Sequence, residues 1–390
     1  MTGLAPMQLF QDIPVVPVKR VTRLKGQGGP IWPDFDAQVA ARHCRNGIPS
    51  DILPKQPARM RALKRPAVWG GFLVTQFGHL VAEHLTRLPQ TLRDRPDDLY
   101  LFTGMPGATP ETLPGYIWDV LDWYGVRRKR FRMIRRPWLC HELRVAAQGE
   151  MLGGIPTSPD YLDLLEAIAR NNALVPEKNE VVFVTRAGYV PLGKGGHAGE
   201  SYVADLLQRA GVTVIEPGQL PIRRQMALYA GARVLIFAEG SALHGRCLLG
   251  RVTQDIHVLR RRSRRNTAHV QLRPRCSHLA YHEVMAGTLG TRTDQRGNRA
   301  DLDLALYDPE VLIAVLAEIG IDLRPHWDEE AFLAAVRSDI AAWSALVPTS
   351  ADQRAENREV LADLDLAPDL LPDPAPHPMP AHPFHPNLQP

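Results

Sequence analysis

The sequence predicts an α/β protein in which two Rossmann-like domains face a cleft, with helices and a proline-rich tail after them. Three observations predict this fold. From about residue 67, short apolar runs alternate with amphipathic segments, as in parallel sheets covered by helices. The alternation restarts after a polar stretch at 172–180. A chain of 390 residues is also longer than one compact core usually organises.

The first Rossmann-like domain is predicted over 67–171, after an irregular N-terminal segment, 1–66, in which we expect a strand or two and long loops. Apolar runs indicate its strands, and an apolar period of about 3.6 residues indicates its helices. The strands are predicted at 67–74, 99–102, 130–134 and 138–147, and the helices at 77–88, 113–126 and 158–171. Ser158 is the expected N-cap of the last helix, and Gly125 is the expected C-cap of the helix before it.

The second Rossmann-like domain is predicted over 172–287, with four strands joined by three helices. A helical segment is predicted over 288–366, where Asp328 is the expected N-cap of a helix. Residues 367–390 contain nine prolines and are predicted to form a disordered tail. Three histidines of that tail stand among the prolines, which disfavours a clustered metal site.

The composition is that of a folded protein, with 45% hydrophobic and 23% charged residues. The four cysteines, at positions 44, 140, 247 and 276, form no CxxC pair, so neither a zinc site nor a disulfide framework is expected. A reducing compartment fits them best. No signal-peptide pattern and no apolar run long enough to span a bilayer is present. We therefore expect a cytoplasmic protein that could still touch the inner face of a membrane through its arginines.

Two basic runs stand out, RRKRFRMIRR at 127–136 and RRRSRR at 260–265. Such runs form solvated faces or protect edge strands in many proteins. The alternative is a positively charged cleft that attracts a phosphorylated or polyanionic ligand. Neither run belongs to a recognised nucleic-acid-binding module, so no nucleic-acid partner is expected.

The stretch AEGSALH at 238–244 lies where an apolar strand is predicted to turn into a helix. Ligands of open α/β sheets bind beyond the carboxyl ends of the strands. Gly240 would let the backbone approach a ligand closely, and Ser241 could cap the helix or offer its hydroxyl to a phosphate. Glu239 could accept hydrogen bonds from sugar hydroxyls, and His244 follows on the same side of the turn. The stretch suits a sugar nucleotide; the alternative is a plain strand–helix turn capped by Ser241.

Three longer stretches, including this one, resemble glycosyltransferase family 61. They are GHLVAEHLTRLP at 78–89, FVTRAGY at 183–189 and EPGQLPIRRQMALYAGARVLIFAEGSALH at 216–244, in the order and at the spacing of the family. Two positions depart from the family pattern. Gly199-Glu200 stands where many members carry Asn-Glu, and Glu239 stands where a histidine often precedes the glycine.

The resemblance implies a GT-B architecture and an inverting transfer of a sugar from a nucleotide-activated donor to a glycan or lipid-linked acceptor. It also implies that no metal or other cofactor is required. Arg186 is the candidate ligand of the diphosphate, with a surface ion pair as its alternative role. Lys194, in a glycine-rich loop, could close over the donor or be a plain exposed lysine. Glu200 and Gln225 complete the candidate donor-binding residues.

His79 and Glu83 are the candidate catalytic residues. They stand at positions i and i+4, which places them on one face of a helix. Either could accept the proton of the acceptor hydroxyl, or His79 could act while Glu83 orients it. A purely structural ion pair is the alternative. Two other functions stay open for the whole chain: a polysaccharide pyruvyl-type transferase, and a non-catalytic relative that binds sugar nucleotides or polyanions.

Overall fold

The protein is a mixed α/β structure with parallel sheets and several helices, in a computed structural model that describes residues 3–22, 25–153, 156–293 and 299–371. Its strands are β1 Gln8–Thr22, β2 Lys25–Pro30, β3 Cys44–Arg45, β4 Ile48–Pro49, β5 Arg61–Leu63, β6 Ala67–Leu73, β7 Leu99–Gly104, β8 Phe131–Met133, β9 Trp138–Val145, β10 Asn179–Val184, β11 His197–Ala198, β12 Thr213–Ile215, β13 Ala232–Ala238, β14 Asp255–Leu259, β15 His278–His282, β16 Met285–Leu289 and β17 Leu304–Tyr307. Its α-helices are α1 Phe77–His79, α2 Leu88–Asp94, α3 Gly115–Tyr124, α4 Pro159–Asn171, α5 Glu200–Arg209, α6 Ile222–Gly231, α7 Ala242–Gly245, α8 His269–Leu272, α9 Pro309–Glu318, α10 Glu329–Leu346 and α11 Ala351–Asp363. A π-helix, Leu80–His84, follows α1 directly.

The first sheet has the strand order β2-β1-β9-β6-β7-β8, and β5 also pairs with β9. Its strands β6, β7, β8 and β9 are the four predicted ones, and they run parallel to one another. Residues 1–66 were expected to contain a strand or two and long loops, and they contain the five strands β1 to β5. The 15-residue strand β1 lies between β2 and β9 and pairs antiparallel with both. It contains Pro14 and Pro17, although proline is rare inside paired strands. The strand accommodates them with a shift of register between Val16 and Arg20.

The second sheet is fully parallel, with the order β12-β10-β13-β14-β15. The four strands predicted between 172 and 287 are confirmed, and β15 is added at the edge. The chain leaves β10 for one neighbour, β12, and returns to the other side of β10 with β13. The ends of β10 and β13 therefore flank a topological switch point, which is where open parallel sheets bind ligands.

The sequence predicts a helical segment over 288–366, but this part of the chain also contains a strand. Leu304–Tyr307 forms β17, a fully buried strand that pairs with β11 and β16 in a third sheet. Helix α10 begins after Asp328, whose carboxylate accepts a hydrogen bond from the Ala331 N–H at 3.1 Å, as predicted. The tail was expected to be disordered from 367, but residues 368–370 form a 3₁₀ turn and Leu371 is buried against the core. The rest of the tail, 372–390, lies outside the described residues.

One apolar core joins the two large sheets. It runs from Phe72 and Leu80 beside the first sheet to Phe237 and Leu243 beside the second. A hydrogen bond from the Trp123 indole N–H to the Leu248 carbonyl, 3.3 Å, crosses the same boundary. These contacts hold the two sheets in a fixed relative position, and the ends of both sheets border a cleft. No helix within the described residues is long and apolar enough to cross a bilayer.

Candidate functional site

A cleft of about 450 Å³ lies between the carboxyl end of β6 and the carboxyl ends of β10 and β13. One wall comes from the first sheet and its connections, and the other from the second sheet. The lining residues are Arg45, Asn46, Gln76, Gly78, His79, Leu152, Gly153, Arg186, Gly240, Ser241, His244, Arg261, Arg262, Arg265, Asn266, Thr267, Ala268 and Asp301. Five of these are arginines and one, Asp301, is acidic, so the lining carries a net positive charge.

His79 and Glu83 form a dyad on the first wall. The His79 Nδ1 atom lies 2.5 Å from Glu83 Oε2. Nδ1 also lies 3.0 Å from Arg45 Nη2, which can only donate, whereas the carboxylate can only accept. Because the carboxylate is the closer partner, we assign the proton to Nδ1, which leaves Nε2 as the proton-accepting atom of the ring. The backbone is a π-helix at this point, with the Leu85 N–H bonded to the Leu80 carbonyl at 3.0 Å, rather than the regular helix predicted for 77–88. Such π-helical turns occur frequently at functional sites.

Arg45 completes this wall and was not foreseen from the sequence. It belongs to the β3–β4 hairpin and binds Glu83 with two hydrogen bonds, Nε to Oε1 at 2.6 Å and Nη2 to Oε2 at 2.7 Å. Glu83 is fully buried. Burial opposes its ionisation, but the hydrogen bonds from His79 and Arg45 outweigh burial and lower the pKa of Glu83 to about 2. A carboxylate so engaged orients His79 and is a poor proton acceptor itself.

Glu239 does not face the cleft, which contradicts its expected contact with sugar hydroxyls. Its fully buried carboxylate accepts hydrogen bonds from the backbone N–H groups of Arg261 and Arg262, at 2.9 and 3.1 Å, and from the Arg262 Nε at 3.0 Å. The Thr267 hydroxyl donates to it as well, at 2.5 Å. Its lone pairs are therefore occupied by the protein. These hydrogen bonds hold the segment 261–267 against the end of β13.

That segment supplies Arg261, Arg262 and Arg265 to the cleft, and none of them was among the predicted site residues. The basic run at 260–265 is the sequence feature that could have identified these residues. The sequence alone left open whether this run forms a solvated face or lines a positively charged cleft. Arg261 is buried and donates to the carbonyls of Ala300 and Asp303 at 3.1 and 2.9 Å. Burial, followed by repulsion from neighbouring arginines, lowers the pKa of Arg261 to about 9, a value at which it is still charged at neutral pH.

The other basic run, 127–136, lies away from the cleft. It surrounds β8, the edge strand of the first sheet. Arg128 stacks on the Trp118 ring, 3.9 Å from its centroid, and Arg130 pairs with Asp97 at 2.9 Å. Protection of an edge strand explains this run.

Arg186 lies at the switch point, directly after β10. Its Nη2 donates to the Gly195 carbonyl at 2.8 Å, and within the described residues its Nη1 makes no hydrogen bond. Gly240 is necessary beside it, because a Cβ atom there would overlap the guanidinium of Arg186. Burial lowers the pKa of Arg186, but the charges of Glu200 and Glu239 oppose that shift. A buried, rigidly held arginine with a free N–H is suited to bind an anion.

Glu200 acts through Arg186 and does not line the cleft. It accepts from the Thr185 hydroxyl at 2.6 Å and from the backbone N–H of Arg186, which fixes the end of β10. Gln225 is likewise engaged, since its amide donates to the carbonyls of Pro217 and Leu220 at 2.8 and 2.9 Å. Glu200 thus positions Arg186 in place of the direct donor contact expected of it. Gln225 lines a hollow beside the cleft, and its expected contact with the nucleotide stays a prediction.

Ser241 and His244 do line the cleft. The Ser241 hydroxyl makes no cap hydrogen bond to α7, so the plain capping role is wrong and its oxygen is available. His244 packs against Gly78, where a Cβ would lie 2.7 Å from its Cδ2. Burial lowers the pKa of His244 to about 4, so the ring is neutral, and its buried Nδ1 has no partner. Lys194 lies outside the lining, over the Tyr189 ring at 5.0 Å from its centroid.

In the described part of the chain, one cluster of potential metal ligands lies next to the dyad. One atom each of His43, Glu83 and His84 lies within 4.8 Å of the other two. The rings of His43 and His84 are stacked in parallel at 4.0 Å. Glu83 is already bound by Arg45, whose positive charge would repel a cation. This group does not fit a metal centre.

The family model described as Glycosyltransferase 61 matches residues 77–251. The match begins at α1 and ends after α7, so it contains the dyad, Arg186 and the Gly240 turn. Arg45 and the segment 261–267 fall outside it. No curated protein matches the chain.

Proposed function

The chain belongs to glycosyltransferase family 61 and is a transferase enzyme; from this premise we propose the reaction that its cleft carries out. The reaction is the transfer of a sugar, with inversion, from a nucleotide-sugar donor to a glycan or lipid-linked acceptor, in the synthesis of a surface or capsular polysaccharide. We further propose a GT-B arrangement, in which 67–171 binds the acceptor and 172–287 the donor. The free thiols of all four cysteines support a cytoplasmic site of action.

One observation carries this proposal: His79, held by the buried Glu83, faces an arginine-lined cleft at a switch point. The diphosphate of the donor would lie against Arg186 Nη1 and the Ser241 hydroxyl, with Arg265 above it. A neighbouring hollow shares Arg186 and Ser241 with the cleft and is lined by aromatic side chains such as Tyr116 and Tyr189. We assign the nucleobase to that hollow, which has about 30 Å³ of space and would have to widen to admit it.

The dyad and the arginines divide the chemistry between them. His79 Nε2 takes the proton of the acceptor hydroxyl as its oxygen attacks the anomeric carbon on the face opposite the diphosphate. The bond from that carbon to the phosphate oxygen breaks, and the diphosphate leaves with the electron pair. Glu83 stabilises the imidazolium that forms. The guanidinium groups stabilise the negative charge that develops on the leaving group, a task for which we propose no metal.

Donor hydrolysis tests this function without knowledge of the acceptor. The protein is incubated with a panel of UDP-, GDP- and CMP-sugars, and release of free sugar and nucleotide is followed. We expect slow hydrolysis of one donor, and loss of that hydrolysis in His79→Ala with nucleotide binding retained. A non-catalytic relative would give thermal shifts without turnover, and a pyruvyl-type transferase would hydrolyse none of these donors. Either result would overturn the proposal, as would normal hydrolysis by His79→Ala.

A further inference from the structure

A second hollow lies next to the dyad, between strands β1, β2, β6 and β7 and the π-helix. Its volume is about 40 Å³, more than one water molecule needs. Among the described residues it shares no lining side chain with the cleft. Tryptophans form part of its lining, and the polar part includes His43, His84, Arg87 and Thr103. The reaction proposed above uses none of these side chains.

Three polar side chains of this lining are buried and have atoms without a hydrogen-bond partner in the described part of the chain. The atoms are both ring nitrogens of His84, the hydroxyl of Thr103 and the Nε of Arg87. The three side chains are only 1% to 3% exposed. Buried polar groups in folded proteins are almost always hydrogen-bonded. Three unpartnered groups around one hollow therefore indicate that a polar species binds there.

Arg87 also brings a positive charge into this buried place. Its Nη1 and Nη2 donate to the carbonyls of Ala41 and Arg42, both at 3.1 Å, and it forms no ion pair within the described residues. Burial lowers the pKa of Arg87 to about 10, so the guanidinium is still charged at neutral pH. A buried charge without a counter-charge is costly, which favours a bound anion over a neutral species.

Two carboxylates lie near the hollow, and each already binds an arginine of its own. Asp51, which is part of the lining, accepts from Arg42 Nε at 2.8 Å. Glu83, outside the lining, accepts from Arg45 at 2.6 Å. Neither carboxylate therefore offsets the charge of Arg87.

The two histidines of the hollow provide donors and no positive charge. Burial is the main cause that lowers the pKa of His43 to about 4 and the pKa of His84 well below its usual value. Both rings are thus neutral, and they stack in parallel at 4.0 Å. A neutral imidazole carries one N–H. Together with the Thr103 hydroxyl and the Arg87 Nε–H, these groups offer the hollow four donors.

We propose that this hollow is a binding site for a small monovalent inorganic anion such as chloride. The anion accepts hydrogen bonds from Arg87 Nε, the Thr103 hydroxyl and the imidazole N–H groups, and its charge offsets that of Arg87. A halide ion is only slightly larger than a water molecule, so it fits the volume as it stands.

The anion ties the β3–β4 hairpin to the π-helix. His43 directly precedes β3, which contains Arg45, and His84 directly follows Glu83. An anion bound by both histidines therefore helps to hold Arg45 against the Glu83 carboxylate. An effect on turnover rests on the proposed function, because Glu83 acts there through His79. The anion site itself does not.

Thermal unfolding of the full chain tests the site without any donor. The melting temperature is measured against the concentration of sodium chloride, with sodium gluconate keeping the ionic strength constant, because gluconate is too large for the hollow. We expect a saturable rise with chloride, as for a ligand that binds only the folded state. Bromide should replace chloride, and crystals grown with bromide should show an anomalous scattering peak in the hollow.

Thr103→Val keeps the shape of the side chain and removes one donor to an anion. The chloride concentration at half-saturation should therefore rise about tenfold or more. Arg87→Met removes the charge and should abolish the chloride-dependent rise. Tyr161→Phe is the matched control, because the Tyr161 hydroxyl is also buried without a partner in the described part of the chain but lies outside the hollow. This variant should respond to chloride as wild type does.

Equal stabilisation by chloride and gluconate, or an unchanged chloride response in Thr103→Val, would overturn the inference. A hollow without a bromide peak would do so too, since water alone would then satisfy these groups. Donor hydrolysis should rise over the same range of chloride concentration, and hydrolysis independent of chloride would overturn the link to the dyad. If no donor is hydrolysed but chloride stabilises the protein through Thr103, the proposed function fails and the anion site stands.

Discussion

The substitution Glu83→Gln tests the dyad, because it keeps the side chain's shape and removes its charge. In the wild type, Glu83 accepts hydrogen bonds from both Arg45 and His79 Nδ1. A glutamine oxygen in the place of Oε2 can still accept from Arg45 Nη2 and from His79 Nδ1, so the orientation of the ring is kept. The negative charge that stabilises the imidazolium is lost, and turnover should therefore fall by about 10²–10⁴.

The same substitution has a calculable effect on stability. A pKa lowered from 4.5 to about 2 corresponds to about 3 kcal/mol of stabilisation of the ionised, folded form. Because the pKa is lower in the folded protein, this stabilisation is complete above about pH 4.5 and is lost as the pH falls towards 2. Arg45 is 38% exposed and can rehydrate in the variant, which makes about 3 kcal/mol an upper value.

The assay pairs donor hydrolysis with the free energy of unfolding, measured at pH 7 and at pH 3. Glu83→Gln should lose stability at pH 7, and the difference from wild type should shrink at pH 3. Glu150→Gln is the matched control, since Glu150 is as buried as Glu83 and pairs with Arg275, at 2.8 Å, outside the cleft. It should lose stability but keep hydrolysis per folded molecule. Near-normal hydrolysis by Glu83→Gln would refute the role assigned to the dyad. An equal loss of hydrolysis per folded molecule in both variants would refute it as well.

Four further predictions concern the donor wall and the C-terminus. Arg186→Ala should weaken nucleotide-sugar binding about 10–150-fold by calorimetry, because a charge-assisted hydrogen bond contributes about 1.5–3 kcal/mol. Gly240→Ala should weaken it similarly, since the added methyl overlaps the Arg186 guanidinium, and unchanged affinity would show that this packing does not matter. EDTA should leave turnover intact; loss with rescue by Mn²⁺ would contradict charge neutralisation by arginine. Deleting 367–390 should lower the free energy of unfolding by about 2 kcal/mol, because Leu371 is buried, and an unchanged melting temperature would contradict that contact.

Local patterns predicted most of the secondary structure. Ser158 caps α4, accepting from the Tyr161 N–H at 3.3 Å, and Gly125 ends α3 with a left-handed φ of 97°, both as expected. These features depend on neighbouring residues alone. A strand or two was expected in 1–66, but the position and length of β1 were not predicted, because its pairing with β2 and β9 decides them. The short strand β17 was missed because it was read as part of a helical segment, whereas its pairing with β16 and with the distant β11 decides its conformation.

The candidate site divides in the same way. The i, i+4 spacing of His79 and Glu83 and the position of Arg186 after a strand are local, and the structure brings all three to one cleft or its wall. Arg45 meets Glu83 across 38 positions, and Arg261 meets Glu239 across 22. No local pattern encodes which carboxylate these arginines meet. For this reason Glu239 was expected to bind a ligand, whereas in the structure its carboxylate binds the protein's own segment 261–267.

The configuration of the first sugar released from the donor tests the central claim most directly. Proton NMR of the hydrolysis reaction, recorded early enough to precede equilibration of the anomers, distinguishes the two configurations by the coupling constant of the anomeric proton. A single displacement assisted by His79 Nε2 predicts that the first-formed sugar is inverted relative to the donor, and that His79→Ala forms none. A first-formed sugar with the donor's own configuration would require a second displacement and would contradict the mechanism.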